Sequence, residues 1–369
     1  MPPLSVMIKP ASGRCNLQCA YCFYEDESRC RTTADYGLMS KEVAEHIVQK
    51  TVQTADECCS FVFQGGEPTL AGLDFFREFV ALVKKHAPSD LKINYALQTN
   101  GVLIDGAWAE FFAQNHVLVG LSLDGDKECH DCFRRDKKGQ GSFARAFNTV
   151  QILRDYRVEF NILTVVTKLL AEKIDRVFSF YIENNFQYQQ YVPCMDGLQG
   201  RRGGKSYSIS PIQYGQFLIR LFELWYRELK RGEYYSIRYF DNIVRMAWGG
   251  APEQCSLVGR CGVQYVIEAD GSVFPCDFYA LDNYLMGNIV EYDFAQLDHM
   301  REQKEFIKQS VSIPEKCRDC QWLPLCRNGC RRDRWDVGSK KGLNYYCEGY
   351  RMFFEYAYPQ IREIGKWFR

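Results

Sequence analysis

The chain has 369 residues, 46% hydrophobic and 15% aromatic, enough to bury one large core or two moderate ones. Lys plus Arg and Asp plus Glu each number 46, so no net field draws it to nucleic acid or to an anionic membrane, and neither is expected as a partner. The opening Met1-Pro-Pro-Leu-Ser-Val-Met-Ile-Lys9 has no basic segment followed by an apolar one, and no apolar run is long enough to cross a bilayer, so a cytoplasmic location is expected.

From Leu4 to about Val192, short apolar β-rich runs alternate with amphipathic stretches, the pattern of βα units around a parallel sheet. Leu4 to Ile8 reads as the first strand, and a cysteine-bearing loop follows it. Lys41 to Thr54 reads as a helix with Ser40 as N-cap. Ser60 to Phe63 is the second strand, running into Gln64-Gly65-Gly66-Glu67-Pro68. A helix over Leu73 to about Lys85, a strand over Ile93 to Gln98, a helix over Asp105 to Asn115 and a strand over Val117 to Leu123 come next. Ser142 is expected to cap a helix reaching Tyr156, and Phe160 to Val166 and Tyr188 to Val192 read as strands flanking a helix over Ala171 to Asn184.

Asp196 to Ser210, rich in Gly, Arg and Ser, reads as a linker. Pro211 to Lys230 is an amphipathic helix, with Phe217, Leu221, Leu224 and Trp225 at core spacing. Val263 to Phe274 holds two β runs joined at Asp270-Gly271, a hairpin signal, and the final helix, about Tyr345 to Trp367, is punctuated by Pro359. The expected organisation is a catalytic portion over 1–196, a linker with helices over 197–254, and a cysteine-rich portion over 255–369.

Seventeen cysteines in a chain of this length point to metal rather than to a secreted disulfide scaffold, because they cluster. Cys15, Cys19 and Cys22 stand together near the start, while Cys255, Cys261, Cys276, Cys317, Cys320, Cys326, Cys330 and Cys347 crowd the last third. Three plus eight is the arithmetic of one open cluster and two closed ones. Cys30, Cys58, Cys59, Cys129, Cys132 and Cys194 are left over and read as small buried hydrophobes, with Cys129-x2-Cys132 open to a redox role. Zinc held by the same thiolates, as in a non-catalytic zinc-stabilised peptide-binding protein, is the reading of a different class.

The stretch Cys15-Asn-Leu-Gln-Cys19-Ala-Tyr21-Cys22 resembles the signature of the radical S-adenosylmethionine (SAM) enzymes. Three thiolates hold three irons of a cubane and leave the fourth to chelate the cofactor. The resemblance implies a partial (β/α)6 barrel, an α/β fold with its chemistry at the C-terminal ends of the strands. It also implies a cofactor pocket made by Tyr21, Gly65, Gly66, Glu67, Ser122, Arg134 and Met195. The two glycines let backbone carbonyls approach a ligand. Ser122 and Arg134 are assigned to the ribose hydroxyls and to the cofactor carboxylate chiefly on the resemblance.

The array Cys261-x9-Gly271-x4-Cys276, Cys317-x2-Cys320-x5-Cys326-x3-Cys330 and Cys347 resembles the auxiliary-cluster extension called the SPASM domain. Cys255 supplies an eighth thiolate, so both auxiliary clusters can be closed. Cys255, Cys261, Cys276 and Cys330 are expected on one, and Cys317, Cys320, Cys326 and Cys347 on the other, making three [4Fe-4S] clusters with the first. From end to end the chain resembles the anaerobic sulfatase-maturating enzymes, which oxidise a cysteine or serine of a sulfatase to Cα-formylglycine without oxygen. That resemblance implies Asp277, directly after Cys276, as the base, with the auxiliary clusters as electron acceptors. Tyr24 and Gln64 are substrate-contact candidates. An unfolded sulfatase polypeptide and an external electron donor are the expected partners, and a monomer is the expected state. The second enzymatic reading is a peptide maturase that forms thioether cross-links on the same scaffold.

Overall fold

The computed structural model describes residues 4–199, 202–334 and 342–367. Positions 200 and 201 of the expected linker therefore lie outside the described residues. In chain order the elements are β1 (Leu4–Ile8), α1 (Phe23–Arg29), α2 (Lys41–Thr54), β2 (Cys58–Phe63), α3 (Leu73–His86), β3 (Lys92–Thr99), α4 (Gly106–Gln114), β4 (Val117–Ser122), α5 (Lys127–Phe133) and α6 (Phe143–Asp155). Then come β5 (Phe160–Val166), α7 (Lys168–Glu172), α8 (Ile174–Glu183), β6 (Tyr188–Pro193), α9 (Pro211–Lys230), β7 (Ser236–Ile237) and α10 (Arg238–Ala247). The last third holds β8 (Tyr265–Ile267), β9 (Ser272–Phe274), β10 (Gly287–Asn288), α11 (Phe294–Gln303), α12 (Phe306–Ser310), α13 (Glu315–Arg318), α14 (Leu323–Cys326) and α15 (Cys347–Trp367).

Two compact units interleave along the sequence. The first comprises Met1–Leu123, Asp131–Asn161 and Val263–Phe306; the second comprises Asp124–His130, Ile162–Gly262 and Ile307–Arg369.

In the first unit β1, β2, β3 and β4 are neighbours in that order and run parallel, with Val6 opposite Phe61, Phe61 opposite Tyr95 and Tyr95 opposite Val117. Strand side chains alternate between faces, so Val6 and Ile8 of β1 and Cys59, Phe61 and Phe63 of β2 all turn into one core. The apolar stripes of α2 (Ile47, Val48) and α3 (Phe76, Phe79, Val83) close that core. The other edge of β1 is taken by β8, in parallel, and β9 and β10 follow antiparallel. The hairpin expected over 263–274 therefore forms and extends this sheet.

In the second unit β5, β6 and β7 run parallel, with Ile162 opposite Gln189 and Tyr188 opposite Ser236. Helix α9 begins with a capping box of Ser210 and Gln213 and has Pro211 in its first turn. Its buried Phe222 and Trp225 meet Phe240 of α10, and Phe222 also meets Phe353 of α15. Helices α9 and α15 approach at Gly215 and Gly349, since a Cβ on Gly215 would lie 2.7 Å from the Gly349 Cα.

Several expected elements differ in detail. Ser40 caps α2 by accepting from the Val43 amide, as expected, but the Ser142 hydroxyl makes no cap and donates to the Arg134 carbonyl at 2.9 Å. The helix expected over 171–184 is two, because Thr167 caps a short α7 and the chain re-enters helix at Ile174. Helix α1, seven residues with no apolar periodicity, was not legible. Of the leftover cysteines, Cys59, Cys129 and Cys194 are buried, whereas Cys132 is exposed. Among the described residues no helix is long and apolar enough to cross a membrane.

Candidate active site

The glycines after β2 seat the cysteine loop. Gly66 donates its amide to the Ser12 carbonyl at 2.9 Å and Glu67 to the Arg14 carbonyl at 2.7 Å. A Cβ on Gly66 would lie 2.0 Å from the Arg14 oxygen, so only glycine permits this approach. Glu67 is 1% exposed, and its carboxylate accepts from the Thr69 amide and hydroxyl, the Thr99 hydroxyl and the Asn100 amide. Burial raises its pKa, against the pull of those donors. Both oxygens of Glu67 are thus committed to joining the end of β2 to the end of β3. Asn100 in turn donates its side-chain amide to Asn16 at 2.8 Å and to the Cys15 sulfur at 3.6 Å.

Tyr21 lies against Phe133, and the buried Arg134 guanidinium sits 5.5 Å from the Tyr21 ring centroid. Ser122, at the end of β4, accepts from the Gln98 side-chain amide at 3.0 Å. Met195 is half-buried just beyond β6, in the second unit.

Tyr24, Gln64 and Asp277, at the start of α1, the end of β2 and the turn after β9, meet. The Tyr24 hydroxyl donates to Asp277 Oδ2 at 2.7 Å, and Gln64 Nε2 donates to the same oxygen at 3.0 Å and to the Tyr24 oxygen at 2.8 Å. Burial and the adjacent Asp277 hold the Tyr24 phenol well above its ordinary range, so it is a donor here. Asp277 Oδ1 accepts no hydrogen bond in good geometry and faces Lys9 Nζ at 3.3 Å.

Lys9 sits at the end of β1, 2% exposed, with Glu268 at 3.3 Å and Glu27 at 3.8 Å. Its ammonium also lies over the Tyr24 ring. Burial alone would favour neutral Lys9, but Asp277, Glu268 and Glu27 more than reverse it and raise the pKa. Burial likewise pushes Glu268 up, yet Lys9 and Arg31 outweigh it and hold Glu268 below the ordinary value. Arg31 reaches Glu268 at 2.7 Å.

The cysteine sites fit polynuclear iron. Burial pushes the Cys15 thiol up to about 12 and raises Cys22. Thiols so placed become thiolates only beside strong positive charge, which iron supplies. The Asn16 side-chain nitrogen is buried there without a protein acceptor. In the second unit Cys317, Cys320, Cys326 and Cys347 line a cavity of ≈ 420 Å³ together with Trp322 and Tyr350. Burial raises the Cys317, Cys326 and Cys347 thiols, Cys326 to about 12. Among the described residues no three metal-binding side chains close around a single ion, whereas a cavity of that size takes a cubane. Burial and then Asp333 raise the Cys330 thiol, and Cys255 and Cys261 of the same unit are near enough to add to the rise. Cys276 follows β9 in the first unit.

Sequence reasoning missed Lys9, Glu27, Arg31, Glu268 and Asn100. Lys9 and Glu268 each end an otherwise apolar run, which is the one available signal, and Asn100 follows β3 in Thr99-Asn-Gly101.

Comparison with known proteins matches residues 10–180 to the radical SAM superfamily and residues 255–321 to an iron–sulfur cluster-binding domain. The chain is 45% identical, over 99% of both sequences, to a cysteine-type anaerobic sulfatase-maturating enzyme of Clostridium perfringens. It is 31% identical to a serine-type anaerobic sulfatase-maturating enzyme of Bacteroides thetaiotaomicron, over 99% of this chain and 92% of the other. Its fold matches that of native anSMEcpe with bound AdoMet and Cp18Cys peptide, with a TM-score of 0.95, 43% identity and 100% of both chains covered. A fold, a cysteine pattern and a full-length identity that agree leave one assignment: the chain belongs to the anaerobic sulfatase-maturating enzymes of the radical SAM superfamily.

Proposed function

We propose that this enzyme oxidises a cysteine of an unfolded sulfatase polypeptide to Cα-formylglycine, with Asp277 as the base. The observation that carries this is the meeting of Tyr24, Gln64 and Asp277, which puts a carboxylate beside two polar side chains at the C-terminal end of the β2 strand. Cysteine is favoured over serine because the 45% identical relative is cysteine-type and the 31% identical one is serine-type. Thioether cross-linking has no such support.

When bound, SAM and the cluster held by Cys15, Cys19 and Cys22 supply the acceptor of a hydrogen atom, and the auxiliary clusters supply the acceptor of an electron. Asp277 takes the third part, the thiol proton. Loss of a hydrogen atom from the β-carbon, the thiol proton and one electron leaves a thioaldehyde, and water replaces its sulfur to give the aldehyde and hydrogen sulfide. Tyr24 and Gln64 hold Asp277 Oδ2 towards the incoming thiol. Tyr21, Gly65, Gly66, Ser122, Arg134 and Met195 serve the cofactor, with Glu67 acting through the ends of the strands it joins. Cys255, Cys261, Cys276 and Cys330 hold one auxiliary cluster, and Cys317, Cys320, Cys326 and Cys347 the other. The division into 1–196, 197–254 and 255–369 is kept as a division of the sequence, its first and last parts supported by the family matches over 10–180 and 255–321. We take the enzyme to work as a cytoplasmic monomer fed by an external electron donor; clustered cysteines in place of a secreted disulfide scaffold support the compartment.

Asp277→Asn should keep 5'-deoxyadenosine formation while slowing formylglycine formation roughly 10²- to 10⁴-fold, the span of general-base catalysis. Mass spectrometry of a cysteine-containing sulfatase peptide reads both products, and an undiminished aldehyde yield would remove Asp277 from its role.

A further inference from the structure

We infer that Lys9 is a positioning residue of the reaction, the buried hub that aims the Asp277 carboxylate at the substrate thiol. The inference rests on Asp277 being the base. Its grounds are geometric. Asp277 has two oxygens in two different environments. Oδ2 accepts from Tyr24 and Gln64, both on the substrate side of the reading above. Oδ1 is buried, accepts no hydrogen bond in good geometry, and has the Lys9 ammonium at 3.3 Å. Rotation about the carboxylate bond is therefore resisted from one side by two neutral donors and from the other by a charge.

Lys9 is itself fixed. The ammonium is held by Glu268 at 3.3 Å and Glu27 at 3.8 Å, and lies 4.8 Å from the Tyr24 ring centroid. Glu268 is tied in turn to Arg31, whose other contacts include the Ala280 carbonyl and the Ser12 hydroxyl. A Cβ on Gly65 would lie 2.8 Å from Lys9 Cγ, so the stem of Lys9 is packed as closely as its head. A lysine that only neutralised Glu268 would be redundant, because Arg31 already does so at 2.7 Å. What Lys9 adds is contact with Asp277 and with the ring of Tyr24, the two residues at the reaction centre. A misplacement of about 1 Å at a reacting group costs on the order of a hundredfold in rate.

The test removes Lys9 while keeping the net charge of the buried cluster unchanged. Lys9→Met combined with Glu268→Gln deletes one positive and one negative charge, and the amide oxygen introduced at position 268 can still accept from Arg31. Lys9→Gln with Glu268→Gln is the second variant, shorter in reach but still able to hydrogen bond. Both are made in the full chain with its clusters reconstituted, and each is assayed for cluster absorbance, 5'-deoxyadenosine and formylglycine over a range of cysteine-peptide concentrations. At least one variant should load its clusters and form 5'-deoxyadenosine within about twofold of the parent, with KM within about threefold and formylglycine kcat down about 10- to 100-fold. A residue of merely structural importance would lower both products together.

Formylglycine kcat at the parental level in every variant that loads its clusters would overturn the inference, and so would failure of both variants to load clusters, which would make Lys9 a folding residue. Asp277→Asn is run alongside. If it is slow while the Lys9 variants are parental, Lys9 alone loses its role. If Asp277→Asn is itself parental, the base assignment falls and the Lys9 inference with it.

Discussion

Glu27 is a buried carboxyl group whose neighbours' positive charge does not make up for its loss of water. It is 3% exposed, and neither oxygen meets a donor in hydrogen-bond geometry, though the Ala280 amide and Arg31 pull on it and Lys9 lies 3.8 Å away. Burial dominates, Asp277 adds repulsion, and the pKa rises from 4.5 to about 8. The native state therefore binds a proton that the unfolded chain has released between these values. Stability falls as pH rises through that window, and above about 8 the whole penalty of a buried anion is present. Glu27→Gln imitates the protonated form. Its Tm should match the parent near pH 5 and exceed it by several degrees at pH 9, measured on cluster-loaded protein under nitrogen. A Tm difference that does not change between these pH values would mean that Glu27 titrates as it does in the unfolded chain. None of this was legible in the sequence. Glu27 sits in a short charged run that reads as a solvated face, and Lys9 and Glu268, whose ion pair it joins, are 259 positions apart. Periodicity reports which face of an element is apolar, but nothing in it pairs two buried charges across the chain.

The elements were more legible than the charges, because period and caps are local properties. Strand β2 was readable from Phe61 and Phe63, and α2 from Ser40 and the stripe behind it. The glycines after β2 were read as an approach to a ligand, while the closest approach the structure shows is to the chain's own backbone at Ser12 and Arg14. Gly66→Ala tests what that packing does. An added methyl 2.0 Å from the Arg14 oxygen must displace the loop that carries Cys15, Cys19 and Cys22. The variant should lose about four irons per chain, one cubane, together with 5'-deoxyadenosine formation. None of the eight cysteines assigned to the auxiliary clusters lies in this loop, so absorbance from the remaining clusters should persist. Full iron content with intact SAM cleavage would show that the loop accommodates the methyl and that the glycine is dispensable.

Across the whole molecule, order has two sources, and iron removal should separate them. The sheet of the first unit is built on fully buried Val6, Ile8, Phe61 and Phe79, which need no metal to stay packed. The stretch around Cys317, Cys320 and Cys326 has little of this kind. Helices α13 and α14 are four residues each, far too short to persist alone. Leu325 of α14 is buried, but Lys316 and Arg318 are exposed, and the four cysteines surround a cavity rather than each other. Bridging iron would turn those short helices into one cross-linked body, so metal affinity there becomes folding free energy. Brief trypsin treatment of iron-free protein should therefore cut first at Lys316, Arg318 and Arg327, leaving fragments that contain β1 to β4 intact. Anaerobic reconstitution with iron and sulfide should protect those three sites at least tenfold, in line with the large coupling of metal binding to folding. If the three sites are equally resistant with and without iron, side-chain packing alone holds the region, and the four cysteines are not needed for its order.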